Sequence, residues 1–555
     1  MHHSTDESDR GSTTEHWRRR RQQWRRGLLV TIAAVTLLAA CTDDSSTSTT
    51  AGEGSTTIGE SPSSTAVATT VPLEPWEARM AVVSDTSRGD PQSSSNMWLR
   101  TIHYGNVGQR LVRVDENGEL HGELAESWEL TEDQTGWRFH LREGIEFSNG
   151  EPFNADTVVF SLDRIVSEEF GADHAGFVSE YDHAEVVDDY TVDIFTEEPS
   201  VDFPFKLTFV VMVPPEYTGD FSPEGPMETD IAVGTGPYVI VSESPDEVVL
   251  EKRDDYWGGE TEGPDRVMIV NRPEAATAVA ALQAGEVDIV EGVTSDLVTD
   301  DFAYTTFDSR NKFTLQLNAQ AGITANPLVR EAIVNAIDQE GAREAFFGDE
   351  FSTAGRCQYV VEGFPDFNPN LENQPYDPDR ARELVQEADA EGATLRLALP
   401  ADNFQQQAAQ QAAELFKEQL EEVGFVVELV TGDFRSYLDT IFLPPADRVE
   451  LYLITSSFDT GTTQAWATYV LPDSLLGAMP FGEFPELEQL LADQATEFDP
   501  AVRSQMLADA TEQICATNAT LFLWSNRQIF GHAENITLPP SRLVSDFLWT
   551  ALRRS

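Results

Sequence analysis

The chain has 555 residues, of which 96 are acidic and 36 are Lys or Arg, so its formal net charge is −60 at neutral pH. A polyanion of this size is repelled by nucleic acids and by anionic lipid headgroups, and both are therefore excluded as partners. Only three cysteines occur, at positions 41, 357 and 515.

The N-terminal residues have the pattern of an exported lipoprotein. A basic cluster precedes the apolar run Leu28–Ala40, whose 13 residues are too few for a membrane-spanning helix, and residues 1–40 are therefore predicted to be a signal peptide. The run ends in Leu38-Ala39-Ala40-Cys41, which resembles the bacterial lipobox, so Cys41 is the expected lipidation site. The alternative is a short membrane helix with an incidental cysteine. The pair Arg25-Arg26 leaves the general and the twin-arginine export routes open.

Residues 41–78 are predicted to form a lipidated, disordered tether. Thr, Ser, Gly, Ala and Pro dominate this segment, and it contains too few large apolar residues to offset the entropy of ordering. About 480 residues follow, enough for two or three lobes. Because an exported protein meets oxidising conditions, Cys357 and Cys515 either form a disulfide or stay as two buried thiols.

The first part of the folded chain predicts an antiparallel hairpin followed by a helix. Apolar and polar residues alternate in 128–130 and again in 137–141, and a turn-forming segment lies between them. Asn154 then precedes apolar residues at helical spacing, so it is the expected N-terminal cap of a helix.

Two later stretches each have the order strand, helix, strand. Such units build parallel sheets covered by helices, so two α/β lobes are predicted. The first unit comprises 267–270, 274–284 and 287–290, and the second comprises 395–399, 403–423 and 425–429. Further helices are expected to begin at Asn326-Pro327, Asp377-Pro378 and Asp499-Pro500, since each pair places a capping side chain before a proline at the first helical position.

Six blocks, in this order along the chain, resemble one protein family. They are LAESWELTEDQTGWRFHLREGIEFSNGEPFNADTVVFSLDRI (124–165), GTGPYVIV (234–241), LEKRDDYWGG (250–259), AALQAGEVDIV (280–290), LVREAIVNAID (328–338) and YDPDRARELVQEA (376–388). The family is that of the ABC-transporter extracellular solute-binding proteins of family 5, the cluster C receptors for oligopeptides, dipeptides, nickel complexes and some sugars. The resemblance extends from about Trp98 to Trp549.

The resemblance implies an α/β fold of the periplasmic-binding protein type II, with two lobes joined by hinge strands and an inserted α+β domain. Carried onto this chain, the implied parts are a first lobe of 79–94, 230–310 and 521–555, an inserted domain of 95–229 and a second lobe of 311–520. The hinge strands are expected near 314–318 and 521–524.

The resemblance also implies a binding protein and not an enzyme, without cofactor or metal. Its lobes would close around a solute and so shift the population toward a closed state. The implied partners are a peptide or other small solute and the permease subunits of an ABC importer with their cytoplasmic ATPases, and a monomer is expected. With lipidation at Cys41, the expected location is the extracytoplasmic face of the cell membrane. A peptide is the expected solute; a sugar and a metal chelate are the alternatives.

The expected ligand-binding residues lie in two segments. In the peptide receptors of the family, a late loop of the second lobe supplies an acid for the ligand's amino terminus and aromatic walls. The equivalent segment here is 456–470, where Asp459 is the candidate acid and the candidate walls are Phe458, Trp466 and Tyr469. The Pro-Asp-Pro signature of those receptors is absent from this loop. Tyr104 and Asn106 are further candidates, in a block that faces the cleft in the family.

Two other classes of function are alternatives to a receptor. An extracellular hydrolase is disfavoured because neither His-Glu-x-x-His nor Gly-x-Ser-x-Gly occurs in the sequence. A surface sensor would use the same tether and cleft without an importer, and the sequence does not separate it from a transport receptor.

Overall fold

The computed structural model describes residues 75–83, 90–92, 102–115, 117–132, 134–168, 170–218, 233–309, 311–360, 362, 367–401, 406–457, 479–539 and 547–555. The predicted signal peptide, nearly all of the predicted tether, and Cys41 lie outside these residues. Residues Pro75–Ser555 form one compact unit. Its first strand begins at Glu77, so the folded part begins before residue 79, the boundary expected from the sequence.

The strands of the described residues are numbered here in chain order. They are β1 (Glu77–Val82), β2 (Val112–Val114), β3 (Leu120–Gly122), β4 (Ala125–Leu130), β5 (Gly136–Leu141), β6 (Tyr181–Asp188), β7 (Thr191–Thr196), β8 (Tyr238–Ser244), β9 (Glu247–Lys252), β10 (Arg266–Asn271), β11 (Ile289–Glu291), β12 (Ala303–Phe307), β13 (Asn311–Leu317), β14 (Ser352–Ala354), β15 (Thr394–Pro400), β16 (Val426–Gly432), β17 (Leu451–Ser457), β18 (Thr520–Asn526), β19 (Gln528–His532), β20 (Ile536–Thr537) and β21 (Arg553–Arg554).

The α-helices are numbered in the same way, and short 3-10 turns link several of them. They are α1 (Ala155–Val166), α2 (Phe203–Lys206), α3 (Pro215–Thr218), α4 (Ala275–Gln283), α5 (Pro327–Ala336), α6 (Gln339–Phe346), α7 (Gly348–Phe351), α8 (Pro378–Glu387), α9 (Gln406–Glu422), α10 (Phe434–Ile441), α11 (Pro485–Asp493) and α12 (Pro500–Thr517).

The predicted helix starts are confirmed. The Asn154 side chain accepts a hydrogen bond from the Thr157 backbone N–H, and Thr157 accepts one from the backbone of Asn154, which closes a capping box. The side chains of Asn326, Asp377 and Asp499 likewise accept backbone N–H groups at the starts of α5, α8 and α12. Each cap satisfies donors that a helix otherwise leaves without a partner.

The first lobe contains a seven-stranded sheet in the order β12-β19-β11-β1-β10-β9-β8. Strands β10 and β11 both pair parallel with β1, so the first predicted strand-helix-strand unit crosses over β1 through α4. The other four pairings of this mixed sheet are antiparallel, and apolar residues cover both of its faces.

The second lobe contains a six-stranded sheet in the order β14-β18-β13-β17-β15-β16. Strands β15 and β16 pair parallel and α9 connects them, as the second unit predicted. The α9 side chains of Ala412, Phe416 and Leu420 are completely buried against this sheet. Two α/β lobes are therefore present.

The inserted domain has a different architecture, an antiparallel sheet in the order β4-β5-β7-β6 with α1 packed against β6. The predicted hairpin is its β4–β5 pair. A separate core, which includes Phe139, Phe147 and Phe153, holds this domain together.

The structure places the chain crossings between the lobes outside the predicted hinge strands. Residues 314–317 belong to β13 and 521–524 to β18, and both strands pair within the second-lobe sheet. The chain crosses instead between Phe307 and Asn311, and again at Arg527. Residues 521–526, predicted for the first lobe, therefore belong to the second, because β18 pairs along most of its length with β13.

Candidate functional site

The two sheets present their carboxyl edges where the chain crosses between them. In the first lobe, the parallel strands β1, β10 and β11 end at one edge of the sheet, at Val82, Asn271 and Glu291. Strand β12 ends at the same edge, where Phe307 lies opposite Gln528. In the second lobe, β15 and β17 run parallel, and β17 ends at Ser457 opposite Asn311. Ligands of open α/β sheets bind outside the carboxyl ends of parallel strands. The space between these edges, here called the interlobe edge, is therefore the candidate site.

Arg527 connects the two crossings. Its Nε donates to Asp308 Oδ1 at 2.8 Å, and its guanidinium also donates to the backbone carbonyl of Asp349 at 2.7 Å. The Arg527 backbone N–H donates to the carbonyl of Phe351 at 2.8 Å. One residue thus links the second crossing to the first crossing and to α7 of the second lobe, which fixes the hinge region in a defined geometry.

Glu291 is the last residue of β11 on the first-lobe side of the interlobe edge. The residue is partly exposed, but its Oε2 is buried and has no hydrogen-bond partner among the described residues. Burial disfavours the charged carboxylate and raises the pKa of Glu291 to about 8.

The next residue, Gly292, has a φ of 80°, a left-handed backbone conformation that favours glycine. A Cβ at this position would collide with the Val83 side chain.

Lys312 is the second residue of β13, next to the first crossing, and it is 4% exposed. Its Nζ donates to the backbone carbonyls of Gln358 at 2.7 Å and Val360 at 2.9 Å. Among the residues that the structure describes, no carboxylate lies within ion-pair distance of this ammonium. Burial therefore lowers the pKa of Lys312 to about 7.

A closed set of hydrogen bonds continues along the same face of β13. Gln316 donates to the Tyr359 hydroxyl at 3.1 Å and accepts from Thr520 Oγ1 at 2.7 Å, and the hydroxyls of Tyr359 and Thr520 are 3.1 Å apart. These buried groups satisfy one another. They hold the segment 355–360, which supplies both acceptors of Lys312, against the sheet.

The structure joins Cys357 and Cys515 in a disulfide with a Cα–Cα distance of 5.4 Å, the pairing that the sequence left open. The bond ties the segment 355–360 to α12. The backbone around Lys312 is thus held by the disulfide and by the Gln316–Tyr359–Thr520 hydrogen bonds.

Four predicted ligand-binding residues, Phe458, Asp459, Trp466 and Tyr469, lie outside the described residues. The described part of the chain ends directly before them, at the carboxyl end of β17. Their roles stay predictions.

The other two candidates, Tyr104 and Asn106, are buried in the first lobe and the inserted domain. The Tyr104 hydroxyl donates to the Phe209 carbonyl at 3.0 Å. The Asn106 amide donates to the Phe547 carbonyl at 2.8 Å and accepts from the Trp549 backbone N–H at 3.1 Å. Both side chains are 2% exposed or less. These contacts favour a structural role, in which Asn106 fixes the segment 547–549 to the first lobe.

One group of side chains has the composition of a cation site. Asp115, Glu119 and His121 place one possible ligand atom each within 4.8 Å of one another. Asp115 Oδ2 and His121 Nε2 are already paired at 3.0 Å, however, and Glu119 and His121 are exposed. The group lies on the β2–β3 hairpin, away from the interlobe edge.

Within the described ranges, no helix combines the length and the apolar character that crossing a membrane requires.

Two α/β lobes, two chain crossings and a candidate site between carboxyl edges define a two-lobed binding protein of the periplasmic type II fold. The family model described as "Bacterial extracellular solute-binding proteins, family 5 Middle" matches residues 119–479, and the chain belongs to this family. It is thus a solute-binding protein of the kind that serves ABC importers.

The sequence carries no signal for Glu291 and Lys312 at the interlobe edge, since neither residue lies in a recognisable motif.

Individual relatives and structures agree with this assignment. The glutathione-binding protein GsiB of Pectobacterium atrosepticum is 24% identical over 482 residues, which cover 83% of this chain and 91% of that protein. The ABC transporter substrate-binding protein CtaP of Listeria monocytogenes has a TM-score of 0.75 at 18% identity, covering 87% of this chain and all of CtaP. The periplasmic binding protein DppA of Helicobacter pylori, in complex with the peptide STSA, has a TM-score of 0.69 at 21% identity, covering 86% and 98%.

Proposed function

We propose that this protein is a lipid-anchored receptor that captures a peptide at the interlobe edge and delivers it to the permease of an ABC importer. The observation that carries the proposal is the arrangement of two carboxyl sheet edges at two chain crossings. Such an arrangement lets a solute contact both lobes at once, so the solute favours closure.

A peptide as the solute is supported by the ligands of similar proteins. GsiB is named for glutathione, and DppA was solved with a four-residue peptide. Backbone amides and carbonyls at strand ends are suitable partners for a peptide backbone. Because the Pro-Asp-Pro signature is absent from 456–470, contacts to the peptide's amino terminus are expected to differ from those of the family's peptide receptors.

Thermal denaturation in the presence of candidate solutes tests the solute class. The panel contains di- to octapeptides, glutathione, sugars and metal chelates, each added to the unit Pro75–Ser555. A solute at 100 times its dissociation constant adds about 2.7 kcal/mol to the free energy of unfolding, which raises the melting temperature by several degrees. Shifts with peptides support the proposal; shifts with sugars or chelates alone, with no peptide effective, contradict it.

The lipid anchor is tested separately on the full chain in a bacterial host. Labelled fatty acid is expected to enter the protein, and Cys41→Ser is expected to abolish the label and release the protein from the membrane fraction. Ser46→Ala, in the same segment, serves as the control and should keep both the label and the membrane association. Label that persists in Cys41→Ser would contradict lipidation at this residue.

A further inference from the structure

The inserted domain contacts the second lobe directly, apart from the two crossings. The Val201 backbone N–H donates to the carbonyl of Ala495 at 3.3 Å. The rings of Trp137 and Phe498 are 6.4 Å apart between centroids, with an angle of 55° between their planes. These four residues, Trp137, Val201, Ala495 and Phe498, are here called the latch contact.

We propose that the latch contact holds the lobes together, so that the inserted domain takes part in closing the receptor. The proposal rests on the proposed function in one respect, since it assumes that the lobes open and close. In this proposal the inserted domain stabilises the closed arrangement of the lobes, and this role is separate from solute binding and from the hinge.

On the inserted domain, the Trp137 ring is held in position before it meets the second lobe. Its indole N–H donates to the Ser200 carbonyl at 2.9 Å, which also fixes the backbone next to Val201. Part of the ring packs against the domain's core. The indole therefore loses little side-chain entropy when its remaining surface contacts Phe498.

On the second lobe, Phe498 directly precedes the cap of α12. The Asp499 side chain accepts from the backbone N–H groups of Ala501 and Val502 at 2.9 and 3.2 Å. The Asp499 backbone N–H in turn donates to the Glu497 side chain at 2.7 Å. A rigid helix start thus presents Phe498 to the inserted domain.

The latch contact is of the right strength for a reversible device. An aromatic pair and one partly exposed backbone hydrogen bond are each modest interactions. Removing the ring contact is expected to shift the ratio of closed to open molecules about tenfold toward open. If the latch contact keeps most solute-free molecules closed, with the open form at about 10%, a tenfold shift makes about half of the molecules open.

X-ray scattering of the solute-free unit Pro75–Ser555 tests the proposal. Phe498→Ala and Trp137→Ala are each expected to raise the radius of gyration by roughly 1 Å over the value of about 23 Å for a compact chain of this size. Because both substitutions remove the same contact, the double variant should expand no further than either single one. Tyr376→Ala is the control, since Tyr376 is a 44% exposed aromatic residue of the same lobe outside the latch contact, and it should leave the scattering unchanged.

Phe498→Ala is the decisive variant, because Phe498 belongs to none of the hydrophobic cores of the described residues and its loss should leave the circular dichroism spectrum native. Native scattering from a folded Phe498→Ala protein overturns the latch, as does an additive expansion in the double variant. The measurement uses no solute, so a failed peptide screen and a failed latch give separate results.

Discussion

Glu291 and Lys312 occupy comparable places on the two lobes, yet their surroundings differ. Each lies beside the edge where the chain crosses between the sheets, and each has a buried ionisable end. The Lys312 ammonium donates to two carbonyls on a backbone segment fixed by a disulfide, whereas Glu291 Oε2 has no partner in the described part of the chain. Burial raises the free energy of the charged form of both side chains. In the described part of the chain, hydrogen bonds offset this cost for Lys312 but not for Glu291 Oε2.

The largest expected loss of stability comes from breaking the disulfide that holds the backbone around Lys312. Replacing both Cys357 and Cys515 with Ser removes a crosslink between residues 158 positions apart, which should lower the free energy of unfolding by roughly 5 kcal/mol. Urea denaturation under non-reducing conditions measures the loss. Adding a reductant to the native protein should reproduce it, and reductant should have no further effect on the variant. Equal stability of the two proteins would show that the disulfide does not stabilise the second lobe.

The second test removes the ammonium itself. Lys312→Met leaves the carbonyls of Gln358 and Val360 without their buried donor and should cost about 2 kcal/mol at pH 7. The matched control is Lys252→Met in the first lobe, because Lys252 also donates to two carbonyls, those of Thr261 and Gly263, but is 21% exposed at its side chain. Water can replace that donor, so the control should lose clearly less stability.

The pH dependence sharpens this second test. Since the pKa of Lys312 is lowered to about 7, the unfolded state binds more protons than the native state between pH 7 and the ordinary lysine pKa. The native protein should therefore gain stability over this range relative to Lys312→Met. A constant difference between the two proteins would mean that the ammonium is not desolvated.

The smallest effect is expected at Glu291 and has the opposite sign. Its raised pKa of about 8 means that the native state keeps a proton that the unfolded state has lost, so stability falls as pH rises from about 4.5 to 8. Glu291→Gln should remove this loss and stabilise the protein by about 1 kcal/mol at pH 8, with little change at pH 4. Exposed Glu260→Gln is the control and should show no such dependence. Destabilisation by Glu291→Gln at pH 8 would point to a partner for the carboxylate.

The sequence allowed the lobes to be predicted, because their signals are local. Apolar spacing identified both strand-helix-strand units, and an Asn or Asp before Pro or a helical stretch identified the caps at Asn154, Asn326, Asp377 and Asp499. These features depend on residues a few positions apart, so a single sequence contains them.

The contacts at the interlobe edge could not be predicted, because they join distant residues. Lys312 contacts carbonyls 46 and 48 positions away, and Asn106, a ligand candidate because its block faces the cleft in the resembled family, binds the backbone of Phe547. The second crossing was placed too early because the family resemblance located it at 521–524, and only the pairing of β18 with β13 assigns these residues to the second lobe.

The position of β19 within the first-lobe sheet affects how the protein is made. Among the strands that the structure describes, β19 lies between β12 and β11, and β12 pairs with no other strand than β19. During synthesis β11 and β12 exist long before the strand that joins them, while the second-lobe sheet is complete once Asn526 has been made. The first-lobe sheet therefore cannot form completely until the chain through His532 is available, and a shorter chain would carry an unpaired strand edge of the kind that promotes aggregation.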